Sequence, residues 1–188
     1  TKCLTEGFFL GFNLNGEGSV KCEDGSYSFG TYKENLLNGK GEIGYANDSK
    51  YSGEFKEGLL HGKGEIIYSS GSTYSGQFKN DKLNGKGKII YSSGTICSGN
   101  YVNDELEGQG TCKWENGDIY TGNYKNDLEN GKGIYITNAG NKYEGDWLDG
   151  SRTGKGTYIW ADGDKYVGDF LNGIQHDQKQ LLNLGSLN

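Results

Sequence analysis

YSGEFKEGLLHGKGEIIYSSGST, Tyr51 to Thr73, settles how the chain is built. Tyr51, Gly53 and Phe55 alternate with Ser52, Glu54 and Lys56, and beyond EGLLH the residues Gly62, Gly64, Ile66 and Tyr68 alternate with Lys63, Glu65 and Ile67. Period-two alternation on both sides of a turn is the pattern of a β-hairpin. Centring that turn between the eighth and ninth residues of the unit puts Tyr51 opposite Ile66, Gly53 opposite Gly64 and Phe55 opposite Gly62. An aromatic ring then covers a strand glycine. Ser69 to Thr73, around Gly71, turns into the next hairpin.

The unit recurs every 23 residues without an insertion, at 5–27, 28–50, 51–73, 74–96, 97–119, 120–142 and 143–165, with a partial eighth at 166–173. A fixed period of this size marks a repeat architecture in which each unit packs on its neighbours. Glycine holds the third, twelfth and fourteenth positions of every full unit and the twenty-first of all but one, where Asp48 stands, so the repeat accounts for most of the 34 glycines. The same frame decides NGKGEIG, Asn38 to Gly44, whose glycines spell G-x-G-x-x-G. A nucleotide-binding loop opens a helix, whereas here the pattern continues as strand, and Gly44 is replaced in the other units by residues such as Ile67 and Ile90.

Net charge of −6 over 188 residues argues against nucleic acid as a partner. No apolar run approaches the roughly 20 residues of a membrane span, and the N-terminus lacks a signal-peptide pattern, so the chain reads as soluble. Because it begins without Met, it reads as a segment of something longer.

Rings fill the fifth position as Phe9, Tyr32, Phe55, Phe78, Tyr101, Tyr124, Trp147 and Phe170, and the first as Tyr51, Tyr74, Tyr120, Tyr143 and Tyr166. The eighteenth adds Tyr45, Tyr68, Tyr91, Trp114 and Trp160. All share one face by parity. A lone sheet cannot bury a face against itself, so this ladder is expected to act both as repeat core and as contact surface for a partner. Tyr32, Tyr51, Phe55, Tyr74, Phe78, Tyr101, Tyr120, Tyr124, Tyr143, Trp147, Tyr166 and Phe170 are its candidate partner-binding residues. Leucine holds the tenth position from Leu14 to Leu106, after which Glu129 and Arg152 break the series.

The opposite face carries lysines at the sixth and thirteenth positions. Lys40, Lys63, Lys86 and Lys132 are the candidate contacts to anionic lipid. Against that reading, Lys63 is expected opposite Glu54 and Lys155 opposite Asp146, the arrangement of a solvated face.

Cys3 with Cys22, and Cys97 with Cys112, lie symmetrically about the hairpin centres of their repeats and are expected as cross-strand neighbours. Buried thiols are favoured over disulfides, because a direct cross-strand bridge strains the bond. Neither the cysteines nor His61 and His176 have metal-site spacing. The nonrepetitive tail, 174–188, reads as a cap for the last hairpin or a dimer contact. Asp177 as N-cap, an apolar side of Leu181, Leu182 and Leu184, and Gly185 as stop suggest a short helix within it.

Written as Y-x-G-x-[FYW]-x6-G-x-G-x3-[YW], the unit resembles the MORN repeat, the "membrane occupation and recognition nexus", over residues 5–173. The resemblance implies an all-β fold, an elongated single-layer antiparallel β-meander with one hairpin per repeat and a groove lined by the aromatic positions. It also implies a noncatalytic, cofactor-free scaffold in the cytoplasm, associated with cytoskeleton or membrane, that holds a helix or peptide of a protein partner and pairs as a homodimer. The competing readings are an anionic-phospholipid recognition module and a regulatory array of a larger enzyme such as a lipid kinase.

Overall fold

The computed structural model describes residues 2–176, so the tail helix expected from Asp177 onward lies outside the described residues. Among the described residues there are sixteen strands and no helix. β1 (Cys3–Leu10), β2 (Asn13–Cys22), β3 (Tyr27–Lys33), β4 (Leu36–Gly44), β5 (Lys50–Lys56), β6 (Leu59–Ile67), β7 (Thr73–Lys79), β8 (Lys82–Ile90) and β9 (Ile96–Val102) belong to a first compact unit, Thr1–Glu105. β10 (Glu105–Lys113), β11 (Ile119–Lys125), β12 (Leu128–Ile136), β13 (Lys142–Leu148), β14 (Ser151–Ile159), β15 (Lys165–Leu171) and β16 (Ile174–His176) form the second, which begins at Leu106. Within each unit every strand pairs antiparallel with its neighbours in sequence, a single-layer meander of hairpins.

The register carries one feature the alternation does not reveal. Tyr51 faces Ile66 and Gly53 faces Gly64 as expected, but the pairing then shifts, so that Glu54 faces His61 and Phe55 faces Leu60 rather than Gly62. The same shift follows the third-position glycine in β1–β2, β3–β4, β7–β8, β11–β12 and β13–β14. It is a β-bulge on the second strand, and its left-handed residue is the twelfth-position glycine, with φ of +61° at Gly62. Only two residues then remain in the turn, Glu57 and Gly58, both at positive φ (52° and 81°), the geometry of a tight hairpin whose twist matches its strands. The turn centre therefore sits one residue earlier than the sequence suggests. Gly62 does receive a ring, but Phe78 of the following strand supplies it.

The bulge also relocates charge pairs. Lys63 faces Gln77, not Glu54, and Lys155 faces Asp169, not Asp146, with Lys155 Nζ 2.7 Å from the Asp169 carboxylate.

Two glycines of the G-x-G pair thus serve different ends. The twelfth turns the backbone, while the fourteenth leaves space. A Cβ on Gly64 would overlap the ring of Tyr51, which lies flat across the sheet over Gly53 and Gly64. Lying there, Tyr51 is fully buried and packs edge-on against Phe55 at 5.1 Å and Phe78 at 5.0 Å. Tyr74 repeats the arrangement between Phe78 and Tyr101. In the second unit Tyr120 bridges Tyr124 and Trp147, and Tyr143 bridges Trp147 and Phe170. Each edge-to-face pair adds about 0.5–1.5 kcal/mol to the burial of its rings. The hydroxyl of each first-position tyrosine donates to the carbonyl three residues on, as Tyr51 does to Glu54 at 3.0 Å and Tyr143 to Asp146 at 2.9 Å.

Successive hairpins interlock through their turns. The eighth-position N–H donates to the tenth-position carbonyl of the preceding repeat, from Asn35 to Leu14 through Gly173 to Arg152. Where the eighth residue is Asp, its carboxylate returns the bond: Asp81, Asp104 and Asp127 accept from the N–H of Leu60, Leu83 and Leu106 at 2.7–2.8 Å. Asp104 has φ of +79°, a conformation that aspartate tolerates better than alanine. Asp104→Ala is accordingly expected to cost about 2 kcal/mol, combining a lost charge-assisted bond with left-handed strain, and Asp104→Asn much less. Urea denaturation of the two variants separates them, and equal midpoints would refute the capping role.

Cys3 faces Cys22, as the repeat symmetry indicated, but the pair is a disulfide rather than two thiols, and none of the four cysteines is free. The direct cross-strand position brings the two Cα atoms to 4.0 Å, close enough to join.

Candidate functional site: grooves on the aromatic face

The first- and fifth-position rings are the floor of this face, not its surface. Of the twelve rings singled out from the sequence, eleven are buried and Tyr166 is half-buried. They are closed over by one another and by the tenth-position leucines, of which Leu14, Leu37, Leu60, Leu83 and Leu106 are all buried. What stands above them is a second row. Tyr45 and Tyr91, at the eighteenth position, are exposed, and Tyr68 is half-exposed.

In the first unit Tyr45 and Tyr68 of this row line a groove of ≈ 480 Å³. Ile43, Leu60, Ile66, Phe78, Leu83 and the two aspartates Asp81 and Asp104 line it as well. Burial raises the pKa of the Tyr45 hydroxyl, and the Asp81 carboxylate adds to the shift. At Tyr68 burial again leads, followed by Asp104.

The second unit has a groove of ≈ 420 Å³ in the corresponding positions, with Trp114 and Thr137 in the ring row. Here Glu129 and Arg152 replace the tenth-position leucines. Arg152 lies over the rings of Tyr143 and Tyr158 at 5.6 and 5.5 Å, while burial holds the Glu129 carboxyl above its usual pKa. The opposite face of the second unit bears a larger trough of ≈ 820 Å³ over the strand glycines. That trough has no aromatic wall, and the lysines beside it are engaged, Lys132 by Asp146 and Lys155 by Asp169. The grooves beneath the exposed rings are the better candidates for recognition, because aromatic rings give large contact area at low entropic cost.

The MORN repeat family model matches residues 29–50, 51–73, 74–96, 97–119, 120–142 and 143–165. The chain belongs to the MORN repeat family. Among solved structures it is similar to the Drosophila melanogaster SAS-4 (dCPAP) TCP domain in complex with a proline-rich motif of Ana2 (dSTIL), at 11% identity and TM-score 0.49, covering 81% of this chain and 83% of that one. It is also similar to the wild-type TCP10 domain of Danio rerio CPAP, at 12% identity and TM-score 0.48, covering 81% and 72%. No curated protein matches the chain.

Within the MORN frame, the stretch before residue 29 forms the same bulged hairpin as the matched repeats, with Phe9 opposite Leu14. Lys40, Lys63, Lys86 and Lys132 all stand exposed on the face away from the aromatic floor, opposite Glu54, Gln77, Asn100 and Asp146 respectively. Among them Lys132 is ion-paired, at 2.6 Å. The groove residues absent from the sequence-based candidates are those at the eighth, tenth, sixteenth and eighteenth MORN positions. Recurrence of rings at the eighteenth was the available signal; the aspartates at the eighth looked like ordinary turn residues. Among the described residues no three His, Cys, Asp or Glu side chains gather as a metal-binding group.

Proposed function

We propose that the chain is a noncatalytic interaction scaffold that holds a partner protein in the grooves of its aromatic face, in a cytoskeleton- or membrane-associated setting. Membership of the MORN family supports an interaction role. The observation that carries the reading is the row of Tyr45, Tyr68 and Tyr91, of which Tyr45 and Tyr68 line the groove, beside a floor already closed by buried rings. Rings that stand outside the buried floor present contact area to another molecule.

Because Phe55, Phe78 and Tyr101 are core, replacing them would report on stability and not on binding. The informative variant is Tyr45→Ala with Tyr68→Ala and Tyr91→Ala. Affinity capture from the source cell is expected to lose its main protein partner with this triple variant and to keep it when Lys40, Lys63 and Lys86 are changed to Glu. Retention of the partner by the triple tyrosine variant would overturn the groove reading. Lipid recognition by the exposed Lys40, Lys63 and Lys86 is the second reading, and liposome binding lost in the lysine variant alone would favour it.

A further inference from the structure

We infer that the groove of the second unit is a saccharide-binding site. The repeat supplies the comparison, because each position shows what the fold itself asks for there. At the tenth position Leu14, Leu37, Leu60, Leu83 and Leu106 are all buried, and the sixteenth holds Val20, Ile43, Ile66, Ile89 and Cys112. In the next two repeats both rows change together. Glu129 and Arg152 stand in place of leucine, and Tyr135 and Tyr158 in place of the apolar residue, while Trp147 replaces the usual Phe or Tyr at the fifth position. All five line one groove, with Trp114 and Asn141 beside them. An apolar seam has been rebuilt from rings and charges of both signs. Packing does not call for that change, since half-buried charges without partners cost stability.

The charges do not cancel each other. Among the described residues neither Glu129 nor Arg152 belongs to an ion pair. The Arg152 guanidinium lies over the rings of Tyr143 and Tyr158, at 5.6 and 5.5 Å, which leaves its N–H groups to donate to a ligand. The rings are held in place. The Tyr135 hydroxyl donates to Asp118 at 2.5 Å and the Trp147 indole N–H to the Gly133 carbonyl at 3.3 Å, while Trp114 packs against Tyr135 at 5.8 Å. A charged donor and a charged acceptor beside fixed rings suit a neutral ligand that carries both kinds of hydrogen-bonding group and an apolar face. A pyranose has all three, since its neighbouring hydroxyls donate and accept and its C–H face is drawn to the negative face of an aromatic ring. A cationic ligand would meet Arg152, and an anionic one Glu129, at like charge. The groove's ≈ 420 Å³ falls within the about 300–1,000 Å³ of small-molecule sites. The groove of the first unit keeps Ile43, Leu60, Ile66 and Leu83 at these positions, so the saccharide site is confined to the second. It is separate from the protein contact tested at Tyr45, Tyr68 and Tyr91.

The test titrates the full chain by calorimetry and by tryptophan fluorescence, since Trp114, Trp147 and Trp160 are its three tryptophans and the first two line the groove. Cellohexaose, maltohexaose, mannohexaose and xylohexaose are the neutral probes, and hexagalacturonate is the anionic one. At least one neutral probe is expected to bind and to change the fluorescence, with hexagalacturonate weaker on the order of tenfold. Glu129→Leu with Arg152→Leu restores the residue of the earlier repeats, so the variant should fold at least as well while binding on the order of tenfold more weakly. Glu129→Gln with Arg152→Gln, which keeps the side chains polar, should lose affinity in the same direction. Tyr68→Ala, in the first unit, should leave saccharide binding unchanged. Failure of every neutral probe to bind, tighter binding of hexagalacturonate, or full affinity in both double variants with unchanged circular dichroism would overturn the saccharide site.

Discussion

Replacing Gly64 with alanine is expected to destabilise the fold by about 3 kcal/mol, the upper range of overpacking costs, although the change adds a single methyl group. Strand glycines ordinarily gain stability when given a side chain. Here the added Cβ would occupy the space of the Tyr51 hydroxyl and the ring carbons next to it. The ring has nowhere to move. It is fully buried, its hydroxyl is tied to the Glu54 carbonyl, and its two edges meet Phe55 and Phe78. The comparison is Gly71→Ala, at a turn with φ of +85° and only one distant neighbour, where left-handed strain alone costs about 1–2 kcal/mol. Pairing Gly64→Ala with Tyr51→Leu should be far from additive, since the second change removes the atoms with which the first collides. Urea denaturation of the single and double variants checks this, and a Gly64→Ala variant no weaker than Gly71→Ala would show that the ring does not depend on the glycine.

Raising the pH from about 10 to about 12 is expected to unfold the repeats. Burial is the leading cause that pushes the Tyr74 and Tyr143 hydroxyls up to about 12. It drives Tyr51 and Tyr120 upward as well, with Glu54 and Glu129 as the next causes. An unfolded tyrosine ionises near about 10, so above that pH the unfolded chain binds fewer protons than the folded one and stability must fall as pH rises. The contribution is whole below pH 10 and is lost as pH climbs through the folded values. Tyrosinate absorbance and far-ultraviolet circular dichroism should therefore change together. Ionisation of all the tyrosines near pH 10 with the β signal intact would refute the buried-ring core.

Much of this fold was legible in one unit of sequence. The alternation of Tyr51, Gly53 and Phe55 with polar residues placed the rings on one face, and the pairs Tyr51–Ile66 and Gly53–Gly64 form as the pattern implied. The bulge was hidden because Gly62 and Gly64 are the same residue type doing unlike things, one bending the backbone and one vacating space. That hidden shift moved Phe55 from Gly62 to Leu60 and gave Lys63 and Lys155 partners in the following hairpin. Burial of the ladder was unreadable for another reason. Parity assigns a ring to a face but does not reveal that Tyr51 lies down across its neighbours, which turns the expected contact surface into a floor. The second row of rings, Tyr45, Tyr68 and Tyr91, recurred in plain view but carried no mark separating it from the core rings.

The turn interlock has a direction. Asp81 reaches back to seal the N–H of Leu60, and Asp104 that of Leu83, so these repeats are each completed by the one that follows in the chain. As the protein emerges from the ribosome, a hairpin therefore waits with an open donor until its successor is made. Removing the successor strands the N–H and carbonyl of Leu60, and removing the predecessor strands the Asp81 N–H together with its carboxylate, so either cut leaves one donor and one acceptor for water to take up. The asymmetry is one of order and not of cost, and the repeats behave less like beads on a string than like a zip whose side-chain teeth point back along the chain.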